Sequence, residues 1–278
     1  MNTPVNEEQD KLWNGSAGSA WVDAQETLDH MFEPFEIRLA QAVAAAGATR
    51  VLDVGCGTGA TTLAAARAMS PGDRCTGIDI SRPMIELARR RAARESAPAD
   101  FIIGDAQIQD FATASFDMVV SRFGVMFFGD PVRAFANLHR AVRPDASLRC
   151  LVFRGAGENP FMTAAERAAA PLLPGIPPRK PNGPGQFAFA DALKVQGILE
   201  SAGWRKVEIE PIDVVCAMPA CELDRYLMRL GPVGLALRDA DDALRTRVVT
   251  AVRGAFAPYL CGDEVRFTAA CWELAAHA

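Results

Sequence analysis

An α/β fold, with a mostly parallel sheet covered by helices on both faces, is predicted by three observations. Strand-like and helix-like segments alternate regularly over residues 50–153. Several strands read as continuous apolar runs, as when both faces of a sheet are buried. The first strand also runs straight into a glycine turn and then a helix, VLDVGCGTGATT at residues 51–62.

The elements follow in order. Residues 1–18 read as a loosely ordered arm containing WNGSAG. Ser19 is placed to cap a helix to about Glu33, where Pro34 is expected to break the pattern and start a second helix to about Ala46. Residues 50–55 form a strand, 60–69 a helix and 74–80 a second strand. Ser81 and Pro83 open the next helix, through Ile85, Leu87 and Ala88. Strands follow at 100–103 and 116–122. Asp130-Pro131 then starts a helix stopped by Pro144, and 147–153 is the fifth strand.

Beyond that point the pattern changes. Residues 171–186, PLLPGIPPRKPNGPGQ, are too rich in Pro and Gly for a regular element. Strand character returns at Val207, Ile209 and Ile212 and at 264–272, with a helical stretch at about 221–257 between them. The reading is an arm and lid helices over 1–46, followed by one domain over 47–278 with an insertion in its last hairpin.

Composition narrows the function classes. The 278 residues carry a net charge of −5, which leaves no electrostatic footprint for a nucleic acid. The seven cysteines form no CxxC pair and no metal-ligand spacing with the three histidines, so free thiols and no metal are expected. No apolar run is long enough to span a bilayer, and the polar start MNTPVNEEQDK does not resemble a signal peptide. A cytoplasmic location follows as the expectation.

The glycine turn carries the chemistry. Glycine is required where the chain turns sharply and a ligand lies against bare backbone, so Gly55, Gly57 and Gly59 mark a nucleotide-type site. Gly55, Gly57 and Ala60 also satisfy the dinucleotide fingerprint, and a carboxylate such as Asp79 suits a ribose in either case. Asp53 tips the balance, because a carboxylate beside this turn repels a pyrophosphate. S-adenosylmethionine has no phosphate and carries cationic groups. Gly104-Asp105-Ala106 after the third strand can meet an adenine amino group.

With these motifs in order, together with FDMVVSRFGVMFF at 116–128 and NLHRAVRPDASL at 137–148, the chain resembles the class I S-adenosylmethionine-dependent methyltransferases. It is most similar to the small-molecule branch that includes the ubiquinone/menaquinone biosynthesis methyltransferases. The resemblance is strong over about 50–154. It implies a Rossmann-like three-layer sandwich, a seven-stranded sheet with an antiparallel last strand, and a lid helix before the first strand. S-adenosylmethionine would be the cofactor and a small molecule the methyl acceptor. The resemblance implies that Asp53 and the backbone of Gly55, Cys56 and Gly57 hold the methionine part. Asp79 takes the ribose, Ile80 and Met84 flank the adenine, and Asp105 and Ala106 meet its edge. The carbonyl of Ser121 or Arg122 receives the ammonium group. The family's common RPGG turn is replaced here by Arg143-Pro144-Asp145-Ala146.

Other residues carry weaker signals. Cys56 reads as a small packing residue rather than a reactive thiol, and the arginines of RRRAARE at 89–95 as a solvated face. His139 reads as structural. His30 is the first candidate for a general base, although packing is the more common role for such a residue. The acceptor pocket is expected from residues 13–35, 123–128, the Pro/Gly loop and the 221–257 insertion, with Trp13, Trp21, Phe123 and Phe127 as contacts. An NAD-dependent oxidoreductase and a non-catalytic S-adenosylmethionine-binding protein remain as alternatives.

Overall fold

A computed structural model describes residues 6–176 and 183–278. The arm is helical: α1 spans Glu7–Asn14 and α2 spans Ser16–Asp23. Residues 1–5 of the expected arm, and 177–182 of the expected Pro/Gly loop, lie outside the described residues. Polar α1 has no buried residue of its own. It is tied down by Asn14, whose side chain donates to the Ile80 carbonyl (3.0 Å) and accepts from the Arg82 amide (2.9 Å).

The long helix α3, Gln25–Ala46, runs unbroken through Pro34. Its inward face carries Leu28, Met31, Phe32, Phe35, Leu39 and Val43 at helical spacing, all buried. Proline removes the hydrogen bond to the carbonyl four residues earlier, which belongs to His30. Both residues lie on the exposed face, where water can serve that carbonyl, and burial of the opposite face outweighs the local cost.

The alternation then produces β1 (Arg50–Val54), α4 (Ala60–Ala68), β2 (Arg74–Asp79), α5 (Arg82–Glu95), β3 (Ala99–Ile103), β4 (Phe116–Arg122), α6 (Pro131–Ala141) and β5 (Val142–Phe153). Asp130 caps α6 by accepting from the Arg133 amide at 3.0 Å. Ser81 precedes α5 but does not cap it with its side chain; its hydroxyl donates to the Trp13 carbonyl at 2.7 Å. In the RPDA turn Asp145 takes a left-handed φ of 62° where the common motif has glycine, a conformation aspartate tolerates.

Two helices absent from the sequence reading follow, α7 (Pro160–Ala169) and α8 (Ala192–Ser201), before β6 (Arg205–Pro219). The helical insertion is present as α9 (Leu223–Arg229), α10 (Gly231–Ala236) and α11 (Asp242–Phe256), with α11 packed on α7. The two-residue strand β7 (Leu260–Cys261) pairs with the long β8 (Glu264–His277).

The sheet has eight strands in the order β3-β2-β1-β4-β5-β8-β6, with β7 beside β8. Strands β1 to β5 pair in parallel, and β8 runs antiparallel between β5 and β6. This is the expected mostly parallel sheet with an antiparallel last strand, plus one short extra strand. The order reverses between β1 and β4, so a crevice opens at their carboxyl ends. No described helix is long and apolar enough to cross a membrane.

Candidate active site

The turn after β1 forms a backbone cradle. Gly55, Gly57 and Gly59 adopt φ of 68°, 54° and 89°. Gly55 also lies directly against Gly124 at the end of β4: a Cβ on Gly55 would sit 2.5 Å from the Gly124 Cα. The two glycines let β1 and β4 converge at the crevice, where a cleft of about 130 Å³ is lined by Gly55, Cys56 and Gly57 among others.

Asp79 at the tip of β2 organises this cradle. One carboxylate oxygen accepts from the Gly57 amide and the other from the Ser81 amide, each at 2.8 Å. Burial raises its carboxyl above the usual aspartate range, opposed by the backbone amides of Ser81, Gly57 and Ile80. Ile80, Met84, Asp105, Ala106 and Arg122 join Asp79 in lining the cleft. Both oxygens of Asp105 are also engaged by the side chain of buried Gln107, at 3.2 and 3.1 Å.

Three expected ligands lie behind the wall rather than in it. Asp53, Gly59 and Ser121 are not among the cleft-lining residues. Asp53 is 1% exposed and accepts from Thr62 Oγ1 at 2.7 Å, while its other oxygen, Oδ1, has no partner among the described residues. Ser121 is buried too. Its hydroxyl donates to the Val54 carbonyl (2.7 Å) and accepts from the Gly124 and Val125 amides, which fixes the β1–β4 crossing. Strand alternation explains this: Ser121 faces into the layer and Arg122 away from it.

Burial pushes the Asp53 carboxyl up to about 7, only partly offset by the Thr62 hydrogen bond and the Arg122 charge. The native state therefore holds a proton that the unfolded chain has lost. The stabilisation is complete below the ordinary aspartate pKa and disappears as pH rises through about 7. Thermal melts from pH 5 to 8 should show wild type losing more stability than Asp53→Asn, which keeps an acceptor for Thr62. Parallel profiles would contradict this.

The remaining expectations divide. Cys56 is a packing residue, with burial raising its thiol pKa and its sulfur filling the space beside Gly77. His30 is exposed and lines neither the cleft nor its neighbouring cavity, so the expected base is corrected. It sits two residues from both Leu28 and Phe32, about 200° around the helix from the buried face. His139 packs edge-on against Trp204, away from the cleft. Among the described residues no acidic, histidine or cysteine cluster suits a metal.

Arg89, Arg90 and Arg94 are exposed, as expected of a solvated face, but Arg91 departs from that reading. It is buried, donates to the Thr58 carbonyl at 2.8 Å and pairs with Asp29 at 2.6 Å. It thereby ties α5 to the glycine loop and to α3. Asp29, Phe32 and Thr58 line the cleft; the first two fall in the 13–35 segment expected at the acceptor pocket, and Thr58 was not singled out.

A second, larger cavity of about 650 Å³ adjoins the cleft. Trp13, Trp21, Phe32, Phe123 and Phe127 line both. Trp13 packs edge-on against Trp21 and Phe127, and Phe123, at a left-handed φ of 66°, stacks on Phe153 at 4.3 Å. The far walls come from α7, residues 183–188 and the α9–α11 insertion. Tyr226 is among them, its phenol pushed up to about 12 by burial and so protonated at neutral pH.

A switch-point crevice with a glycine cradle, a carboxylate at the tip of β2 and an antiparallel β8 defines a Rossmann-like α/β fold. Residues 51–145 match the family described as a methyltransferase domain. The chain is 32% identical over 148 residues to demethylmenaquinone methyltransferase of Renibacterium salmoninarum, covering 53% of this chain and 60% of that protein. It is 32% identical over 186 residues to nocamycin O-methyltransferase of Saccharothrix syringae, covering 61% and 66%. It thus spans less than two thirds of either relative. In fold it is similar to the YcgJ protein of Bacillus subtilis (TM-score 0.56, 18% identity, 86% of this chain and 97% of that one). It is also similar to phosphoethanolamine N-methyltransferase 2 of Haemonchus contortus, solved with phosphomonomethylethanolamine and S-adenosylhomocysteine (TM-score 0.56, 17% identity, 99% and 60%).

Proposed function

We propose that the protein transfers the methyl group of S-adenosylmethionine to a small apolar or aromatic acceptor. The observation that carries this reading is the pair of adjoining cavities, a cleft at the glycine cradle opening through an aromatic boundary into an apolar chamber. A chamber of about 650 Å³ suits a small organic molecule.

The residues fit the cofactor. Gly55 and Gly57 offer bare backbone, Asp79 a carboxylate for ribose hydroxyls, and Met84 and Ala106 apolar surface for a base. The cofactor supplies an activated methyl on a sulfonium. The chain's own part is placement and exclusion of water. Trp13 and Trp21 from the lid and Phe123 and Phe127 from beyond the carboxyl end of the central strand β4 form the wall where the two ligands meet. Tyr226 is a protonated hydroxyl in the acceptor chamber and serves as a donor rather than a base. The net charge of −5 supports a small molecule over a nucleic acid as acceptor. Five of the seven cysteines are buried and all are free, which supports a reducing, cytoplasmic setting.

Calorimetric titration with S-adenosylhomocysteine and, separately, with NADH tests the reading. Micromolar binding of the former and none of the latter is expected. Transfer of labelled methyl to a panel of phenols, quinones and amines then tests the acceptor class. Binding of NADH alone would replace this function with an oxidoreductase.

A further inference from the structure

We propose that the Arg122 side chain, and not only the backbone beside it, binds the α-carboxylate of the cofactor's methionine end; this rests on the cofactor reading above. Arg122 ends β4 and lines the cleft with Val54, Gly55 and Gly124, but it does not line the apolar chamber. Its guanidinium is half-buried and poorly satisfied. One nitrogen donates to the Phe32 carbonyl at 3.4 Å, and the group lies 5.8 Å over the Phe32 ring. No described carboxylate pairs with it, whereas the sheltered Arg91 and Arg154 meet carboxylates at 2.6 and 2.9 Å.

The surrounding acids do not replace such a partner. Asp53 and Glu36 lie within electrostatic reach of Arg122, but neither forms an ion pair with it among the described residues. Arg122 therefore presents spare, forked donors and a positive charge to the cleft. A planar anion satisfies both at once, through parallel charge-assisted hydrogen bonds. The amino-acid carboxylate is the one anionic group of the cofactor, and the cofactor reading above places the methionine end beside the glycine turn, whose Gly55 lines the same cleft as Arg122. Asp29, which lines the same cleft, is already engaged by Arg91 and Gln25 and does not compete for Arg122.

The test compares two ligands by calorimetry: S-adenosylhomocysteine and its decarboxylated analogue, 5′-(3-aminopropylthio)-5′-deoxyadenosine. Wild type should bind the intact ligand roughly 10- to 100-fold more tightly. In Arg122→Met that preference should shrink to a few-fold, through loss of affinity for the intact ligand only. Arg122→Gln should behave in the same way and serves if the methionine variant does not fold. An unchanged preference in either variant overturns the assignment, as does equal affinity of wild type for the two ligands. Failure of wild type to bind either ligand overturns the cofactor reading itself, a different result from tight binding indifferent to Arg122.

Discussion

Asp79→Ala should lower affinity for S-adenosylhomocysteine on the order of 100- to 1,000-fold. In the proposed complex the carboxylate accepts from both ribose hydroxyls, and hydrogen bonds to a charged group contribute about 1.5–3 kcal/mol each. Asp79 also has a second task, since its two oxygens already receive the Gly57 and Ser81 amides at 2.8 Å. Alanine leaves both amides without that acceptor, so the glycine cradle loosens at the same time as the ribose contact disappears. Asp79→Asn separates the two effects. It keeps one acceptor oxygen near the cradle but removes the charge, and should fall between wild type and alanine. Calorimetry gives the affinities, and thermal melts without ligand report the cradle. Unchanged affinity in the alanine variant would mean that the sugar is not held at β2.

How much of this was legible in the sequence depends on which force set each element. Strands β1 to β5 and their helices were legible because burial on both faces leaves apolar runs and glycine or proline punctuation. Gly55, Gly57 and Asp79 in the cleft were legible because close backbone approach demands glycine and a nucleotide-type ligand calls for a carboxylate, whereas Ile80, Met84, Asp105 and Ala106 were carried over by the family resemblance. Helix α1 was missed because its sequence has no apolar stripe; Asn14 holds it through contacts 66 and 68 residues away. Pro34 misled for the related reason that tertiary burial of the opposite face overrides a local breaker. Asp53 and Ser121, expected in the site, lie outside the cleft lining, and their side chains support the wall from behind. A strand's two-residue period would have suggested this for Ser121. The Arg91 bridge to Asp29 joins residues 62 apart, and no local pattern encodes it.

Gly55→Ala should abolish measurable cofactor binding and lower stability by roughly 2–5 kcal/mol, combining left-handed strain with overpacking. The φ of 68° alone is a modest penalty for alanine, and Gly47 shows why the distinction matters. Gly47 has a φ of 58° but nothing within 4 Å of an added Cβ, so Gly47→Ala should cost only about 1–2 kcal/mol and leave affinity intact. At Gly55 the added carbon meets the Gly124 Cα at 2.5 Å, and backbone cannot rotate away as a side chain can. The β1 and β4 ends must therefore separate, which moves the cradle, the Arg122 side chain and the Phe123 wall together. The reciprocal change, Gly124→Ala, meets the Val54 carbonyl at 2.4 Å and the Gly55 Cα at 2.6 Å and should show the same double loss. Because the two positions share one contact, the double variant should be less destabilised than the sum of the singles. Thermal melts and calorimetry on the four variants decide the matter. A Gly55→Ala protein that binds S-adenosylhomocysteine as well as Gly47→Ala would show that the β1–β4 contact does not shape the cofactor cleft.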